Sequence, residues 1–469
     1  MSGNRPRVVV LGAGFGGVWA SRALRRAPVD VTLVDRNNFH TFLPLLYQVA
    51  AAELEPFAIA QPVRTLMRGQ ANLQFLHATA MRVDPAGKIV HTDRGVYAYD
   101  YLIIATGTVA FDFGVRGART HAFPLKTLED GITLRSHILS RFEAATHEPD
   151  GARRRSALRF VVVGGGPTGV EFAGAVSELV RGPLARDYPG VAGEASILLV
   201  EAADRLLLAF PPGLGAYALR RLERMNVEVR LGARVDEVGE DRVVFGSGED
   251  GDEVKCETVA WTAGVQASAE TEGWSLPLSR DRRIRVGPTL QVEGYPEIFA
   301  IGDVASVETG DPPPMLAQAA MQGGVHAARG IVAIEKGAEP DQFRYHDKGI
   351  MAVIGRNAAA ARIRGRSFTG FPAWLLWLGI HIAYLIGFRN RLAVLLNWAW
   401  DYVFFERSAR ILIPLRVRRP RWPATDVEGP SGWRAGGCPV RAGPSPTDPR
   451  SPASSRDCPA RTSSDRPVC

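Results

Sequence analysis

Six glycines in two sets carry the first chemical signal of this 469-residue chain. Gly12, Gly14 and Gly17 follow the apolar run VVVL and precede a helix predicted over Val18–Arg26. Glycines so placed let the backbone approach a pyrophosphate whose charge sits at the helix N-terminus. Asp35 closes the next apolar strand, VTLVD, 23 residues after Gly12, where a carboxylate would bind a ribose hydroxyl. Gly164, Gly166 and Gly169 repeat the pattern after FVVV, with Pro167 and Thr168 between them and Pro167 set to start the helix. Glu201 closes SILLV and would bind a second ribose. An acid there repels a 2′-phosphate and so favours NAD over NADP, against which Arg205, four residues on, is the competing signal.

Each copy has a later partner in which an apolar run ends in a small-residue turn: YLIIATG ending at Gly107, and VAWTAG ending at Gly264. The duplication implies two dinucleotide sites, and hence an electron-transfer pair in which a bound flavin exchanges hydride with a nicotinamide that comes and goes. In PEIFAIGDVA the Gly302-Asp303 turn suits a carboxylate on a flavin's ribityl chain, with an Asx-type helix cap as the alternative use. Glu171 falls in the first turn of the second helix, where the helix dipole favours its ionised form. Gln318 and Gln322 are i and i+4 on a helix predicted from Met315 to about Ile334, so both amides project from one face and could hydrogen-bond a carbonyl.

The rest of the chain must position these residues. Hydrophobic content of 46% and charged content of 22% are those of a globular protein. A mean hydropathy of −0.03 excludes a polytopic membrane protein. Cys256, Cys438, Cys458 and Cys469 form no CxxC and no cysteine–histidine cluster, so no metal site is expected and a reducing compartment fits. The lack of a cysteine pair also argues against disulfide and sulfide chemistry beside a flavin. His40, His326 and His381 read as packing or surface residues. The net charge of +7 is concentrated at the end: from Arg416 onward there are ten Arg against five acids. Few aromatics interleave those arginines, so nucleic acid is not an expected partner. The opening MSGNRPR leaves no room for a signal or transit peptide before the first strand.

Leu125–Glu148 has helical character, and Arg205–Arg224 reads as a loop followed by a helix. Phe343–Gly365 reads as a pair of strands. Phe371–Phe388 is 18 residues without formal charge, near the lower limit for a membrane span, but Gly379, Gly387 and the charged break FRNR favour a helix-turn-helix lying on a membrane. Trp374, Trp377, Trp398 and Trp400 suit the interface, and Arg389, Arg391, Arg407 and Arg410 could meet anionic head groups. From Arg418 the ten Pro, five Gly and seven Ser cannot bury enough apolar surface to fold.

With these residues assembled, the chain resembles the type II NADH:quinone oxidoreductases among the two-dinucleotide-domain flavin reductases. The match rests on GAGFGG, NNFHTFLPLLYQVA (37–50), GGGPTGVE, IGDVA, AQAAMQGG (317–324) and GFRNR (387–391), and runs from about Arg7 to Arg416. The resemblance implies an α/β fold of two Rossmann-like dinucleotide-binding domains plus a C-terminal membrane-attachment module. The expected division of the chain is an FAD-binding domain (1–115, returning over 287–335), a connecting helical segment (116–158), an NADH-binding domain (159–286), C-terminal strands and apolar membrane-attachment helices (336–417) and, outside the resemblance and on composition alone, a disordered tail (418–469). FAD would be held non-covalently by Gly12, Ala13, Gly14, Phe15, Gly16, Gly17, Asp35, Arg36, Gln48, Ala105, Thr106, Gly107 and Asp303. NADH would lie on Gly164, Gly166, Pro167, Thr168, Gly169, Glu201 and Gly264. Glu171 matches the family's acid beside nicotinamide and flavin, while Gln318 and Gln322 match its quinone-pocket glutamines. The implied activity is non-electrogenic transfer from NADH through FAD to a membrane quinone, at the cytoplasmic side of the cell inner membrane. Residues 371–413 would make a monotopic attachment, and a homodimer through the same module is compatible with it. Donation to a soluble protein carrier, or a non-catalytic nucleotide-sensing flavoprotein, are the competing functions.

Overall fold

The computed structural model describes residues 5–246, 252–308, 312–404, 407, 409–412 and 422. The Pro/Arg/Ser-rich tail expected from 418 lies, apart from Trp422, outside the described residues, as do Cys438, Cys458 and Cys469.

Two sheets, the first mixed with a parallel centre and the second all parallel, carry the glycine turns. The first has eight strands, in the order Ala305–Val307, Ile284–Val286, Gln291–Val292, Tyr295–Ala300, Tyr101–Ile104, Arg7–Leu11, Asp30–Asp35 and Leu73–His77. Its central strands pair in parallel, Val8 opposite both Val31 and Tyr101, and Ile298 opposite Leu102. Val8, Val10, Leu102, Ile103 and Ile298 are fully buried, as the continuous apolar runs of a sheet covered on both faces require. The second sheet has five parallel strands, Phe123–Pro124, Thr258–Trp261, Arg159–Val163, Ser196–Glu201 and Val227–Leu231. The chain crosses between the sheets twice, and the crossings pair as an antiparallel ribbon of Val109–Ala110 with Val265–Gln266.

The helices differ from expectation in instructive ways. The first begins at Phe15, directly after Gly14, and becomes a 3-10 turn at Leu24–Arg26, so Gly16 and Gly17 lie inside it. Glycine costs helix propensity, but a Cβ on Gly17 would sit 1.8 Å from the Gly12 carbonyl oxygen, and packing decides the residue. The connecting helix spans Leu128–His147 and starts in a capping box of Thr127 and Asp130. The helix of the two glutamines spans Ala317–Glu335 and packs along the first helix, where Gly324 lets the backbones approach.

The expected strand pair over 343–365 is corrected to three antiparallel strands, Ile350–Val353, Ala359–Ile363 and Arg366–Thr369. The last two are joined by a two-residue turn with positive φ at both Arg364 (48°) and Gly365 (77°). An arginine in the left-handed region gives no turn signal, which hides the third strand. Beyond it, the helices Gly370–Tyr384 and Phe388–Phe404 turn at Gly387, whose φ is +92°. Arg391 closes the first of them by donating to the Leu385 and Ala383 carbonyls at 2.7 and 2.8 Å. Among the described residues, no helix is long and apolar enough to cross a membrane.

Candidate functional site

The two glycine turns are built alike down to their side chains. At the first, Gly12 has φ +98°, and a Cβ there would meet the Ala105 carbonyl oxygen at 2.4 Å. At the second, Gly164 has φ +111°, and a Cβ there would meet Ala263 N at 2.8 Å. Each third glycine, Gly17 and Gly169, abuts the first glycine's carbonyl at 1.8 Å from an ideal Cβ. Gly14 and Gly166 alone face open space, so the backbone N–H groups at both helix starts are left uncovered for an anion. The Asp35 carboxylate accepts from Ala13 N at 2.5 Å and Asn37 N at 2.6 Å. Glu201 accepts in the same way from Gly165 N at 2.5 Å and Ala203 N at 2.8 Å. Each acid thereby ties its strand end to its glycine turn and keeps lone pairs for a hydroxyl donor. Burial raises Asp35 above the ordinary carboxylate range, against the pull of those N–H groups. Arg205 does not face outward as a phosphate ligand: its guanidinium donates to the Phe210 and Leu208 carbonyls at 3.0 and 2.9 Å.

Around the first turn, Phe15 and Gly16 are buried, and Arg36 is exposed beside Asp35. His40 is a buried packing residue whose Nδ1 lies 2.9 Å from the Ala13 carbonyl, and burial lowers it to about 4. Thr106 is exposed and Gly107 has φ +71° in the turn after Ala105. Asp303 faces Lys126 Nζ at 3.7 Å and the Thr108 hydroxyl at 3.5 Å. At the second turn, Pro167 is the first helical residue, Thr168 is half-buried, and Gly264 has φ +70° against the Phe113 ring.

Glu171 departs most from expectation. The sequence puts Glu171 in the first helical turn, but the helix starts at Pro167 and Glu171 is its fifth residue, past that turn; burial pushes the carboxyl up to about 8, with the Val353 N–H at 3.2 Å pulling the other way. The Trp377 indole, buried with no aligned acceptor, lies against the same carboxyl. Trp377 stacks on His381 at 4.1 Å and lies 5.5 Å from the Trp398 ring. The Trp398 N–H donates to Gln48 Oε1 at 3.0 Å, and Gln48 Nε2 donates to the Tyr47 hydroxyl at 3.1 Å. The structure thus brings Gln48, Glu171 and the two apolar helices to one place. Burial also lowers His381 to about 4, and it and the half-buried His326 serve packing.

The two glutamines share a helix face but not a role. Gln322 is engaged at both ends by the His346 backbone, donating to its carbonyl at 3.0 Å and accepting from its N–H at 2.9 Å. Gln318 donates to the Gly349 carbonyl at 3.0 Å, while its Oε1 is buried with no partner. Sequence reasoning missed Tyr47, Glu53 and Lys126, and it took Arg407 for a head-group ligand. Arg407 is 7% exposed and donates to the Ala51 and Ala175 carbonyls at 2.9 and 2.8 Å. Trp377, expected at a membrane interface, is 1% exposed. Among the described residues, no group of three His, Cys, Asp or Glu could hold a metal ion.

Two dinucleotide turns, each following a strand paired in parallel, with a buried acid on the helix after the second, define an oxidoreductase of the two-nucleotide-domain class. The pyridine nucleotide-disulphide oxidoreductase family matches residues 6–324. A type II NADH:quinone oxidoreductase of Mycobacterium tuberculosis is 39% identical over 86% of this chain and 90% of its own length. One from Staphylococcus haemolyticus is 30% identical over 80% of this chain and 93% of its own. The NDH2 structure from Plasmodium falciparum in complex with NADH superposes with a TM-score of 0.81 at 19% identity, over 87% of this chain and 100% of that one. The chain belongs to the type II NADH:quinone oxidoreductase family, within the pyridine nucleotide-disulphide oxidoreductases.

Proposed function

We propose that the protein is a non-electrogenic NADH:quinone oxidoreductase. FAD would be held at the first glycine turn and NADH would exchange at the second. The observation that carries this reading is the pair of matching turns, each with an uncovered central glycine and a strand-end carboxylate, beside the buried Glu171. The residues at the first turn fit FAD: an ideal Cβ on Gly14 meets nothing, Asp35 keeps acceptor capacity, and Asp303 stands past the strand end. When bound, FAD supplies a two-electron relay between a nicotinamide and a quinone.

The chain's own residues would then divide the work. Gly14 and Gly166 expose N–H groups to pyrophosphates; Asp35 and Glu201 accept from ribose hydroxyls. Glu201, with Arg205 committed to backbone carbonyls, favours NADH over NADPH. Glu171 holds a proton near neutral pH and would give it to the quinone oxygen, while Gln318 would donate to a quinone carbonyl and accept from the quinol hydroxyl. Gln322 would hold the 343–349 segment that forms the wall beside it.

The domain division expected from sequence belongs to the same proposal, with its limits moved so that Phe123–Pro124 goes with the second sheet and Ile284–Val286 with the first, where each pairs. Residues 371–413 would attach the protein to a membrane surface as a peripheral, monotopic module on the cytoplasmic side. Supporting this, Phe388 is 81% and Leu396 61% exposed, alongside Phe371, Leu375, Trp400 and Val403 on the two helices. A quinone dissolved in a bilayer gives that apolar face a reason.

The test is anaerobic. Purified protein should lose its flavin absorbance on adding one equivalent of NADH, and recover it on adding a quinone. Flavin bleached by NADH but restored by no quinone would move the acceptor to a soluble carrier. Failure to retain FAD would sink the reading.

A further inference from the structure

Quinol formation from NADH, a quinone and one proton yields NAD+ and the quinol, so each turnover takes one proton from water. If Glu171 delivers it, as proposed above, Glu171 must be refilled from a buried position. The residues behind it form a graded path. Glu178 lies seven residues on along the same helix, and therefore on the same face two turns away. Glu53 follows the Leu46–Ala50 helix, in the segment after Ala52, whose φ is +56°. Arg407 lies across both: its Nη2 is 2.7 Å from Glu53 Oε1 and 3.2 Å from Glu178 Oε2, while its Nη1 holds the Ala175 carbonyl between Glu171 and Glu178. Exposure rises outward along this path, from buried Glu171 to 14% for the Glu53 side chain and 28% for Glu178.

Charge balance says where protons must reside. Among the described residues, Glu53 is faced by Arg407, Glu178, Asp401 and Arg356, and the buried Tyr47 hydroxyl feels both Glu171 and Glu53. Arg356 donates to the Asp401 and Tyr402 carbonyls at 2.6 and 3.2 Å, and Glu178 also accepts from the Arg356 N–H at 2.5 Å. Arg407 stands as one guanidinium between the Glu53 and Glu178 carboxyls, while Glu171 is met by the Val353 N–H and the Trp377 indole. Buried acids without a counter-charge hold protons.

We propose that Glu53 is the relay that returns a proton to Glu171 after each quinol is formed, held in place by Arg407. This deepens the oxidoreductase reading and rests on it. The O–H bond of the Glu53 carboxyl breaks, a new O–H forms on the Glu171 carboxylate, and Glu53 is recharged from water on its Glu178 side. Glu53 touches neither quinone nor nucleotide and acts only through Glu171. Arg407 is a positioning residue. Two buried acids coupled in this way titrate as a pair, near 7 and 8.

The experiment compares steady-state, multiple-turnover quinone reduction by the wild type and Glu53→Gln in water and deuterium oxide, across pH 5 to 9. A glutamine keeps an oxygen for Arg407. Flavin reduction by NADH and the KM for a short-chain quinone should stay at wild-type values. Quinol formation should slow by about tenfold above the lower ionisation, less than a direct general-acid effect because Glu53 acts only through Glu171, and the solvent isotope effect should grow. A rate–pH profile and isotope effect superposing on the wild type's would overturn the relay. If Glu53→Gln loses FAD, Glu53→Asp carries the test, since a profile moved by shortening the acid supports the relay and an unmoved one removes it. Wild-type flavin that no quinone restores would instead fail the parent reading before any variant is compared.

Discussion

Aligning the two glycine turns pairs Trp19 with Glu171, since each lies two residues after its third glycine. The surroundings are otherwise matched: the same glycine contacts, the same strand-end acid, the same parallel strands. Trp19 is half-buried, with the Arg22 guanidinium 5.5 Å from its ring centroid. Glu171 is buried, accepts from one backbone N–H, and is surrounded by Tyr47, Trp377 and the strand Ile350–Val353. One scaffold position thus carries packing in one copy and a proton in the other. The difference teaches that the duplicated fold would supply nucleotide binding twice, while Glu171, at the position Trp19 holds in the first copy, is what meets the C-terminal strand Ile350–Val353 and Trp377.

The comparison can be broken first at the central glycines. Gly14 and Gly166 have φ of −71°, which any residue adopts, and open space beside them. Gly14→Val should fold normally and be isolated without flavin, whereas Gly166→Val should keep flavin and raise the KM for NADH by about 100-fold. Flavin spectra and NADH titrations check this, and equal losses in both variants would erase the division of labour.

Next comes the pH dependence of stability. Glu171 titrates at about 8 when folded and near the ordinary glutamate value of 4.5 when unfolded. Between those values the folded state binds the extra proton, so this contribution is fully present below about 4.5 and is lost as pH rises through 8. Glu171→Gln should remove that slope, worth on the order of a few kcal/mol across the window, as read by denaturant unfolding at a series of pH values. Trp19→Gln should leave the slope as it is.

The two glutamines give a smaller effect. Gln318→Ala should raise the KM for quinone by about tenfold with little change in melting temperature. Gln322→Ala should instead cost about 1 kcal/mol of stability, by unpairing the His346 backbone. Smallest is Trp19→Phe, which weakens the Arg22 contact and should change stability by less than about 1 kcal/mol, with turnover unaltered in steady-state assay.

Local spacing made much of this legible. Both turns, both strand-end acids and the Gln318–Gln322 face follow from periods of one strand or one helix, which a short window contains. Glycine inside the first helix misled the reading of its start because propensity is local, while the contact of Gly17 with Gly12 O forms only once the turn closes. The state of Glu171 was illegible for a different reason. Its neighbours Tyr47, Val353 and Trp377 come from three distant segments, and burial by all three reverses the sign that the helix terminus predicts. Arg407 likewise reads as a surface cation from composition and becomes a buried clamp only because Ala51, Glu53 and Ala175 converge on it.

The most direct test of the contrast between the copies is a single-turnover experiment on Glu171→Gln with each half-reaction timed separately. The account predicts flavin bleaching by NADH within about threefold of the wild-type rate, and restoration by quinone slowed by about 100-fold or more, with the alkaline fall of the wild-type profile abolished. Restoration at the wild-type rate, with the wild-type pH profile, would contradict it.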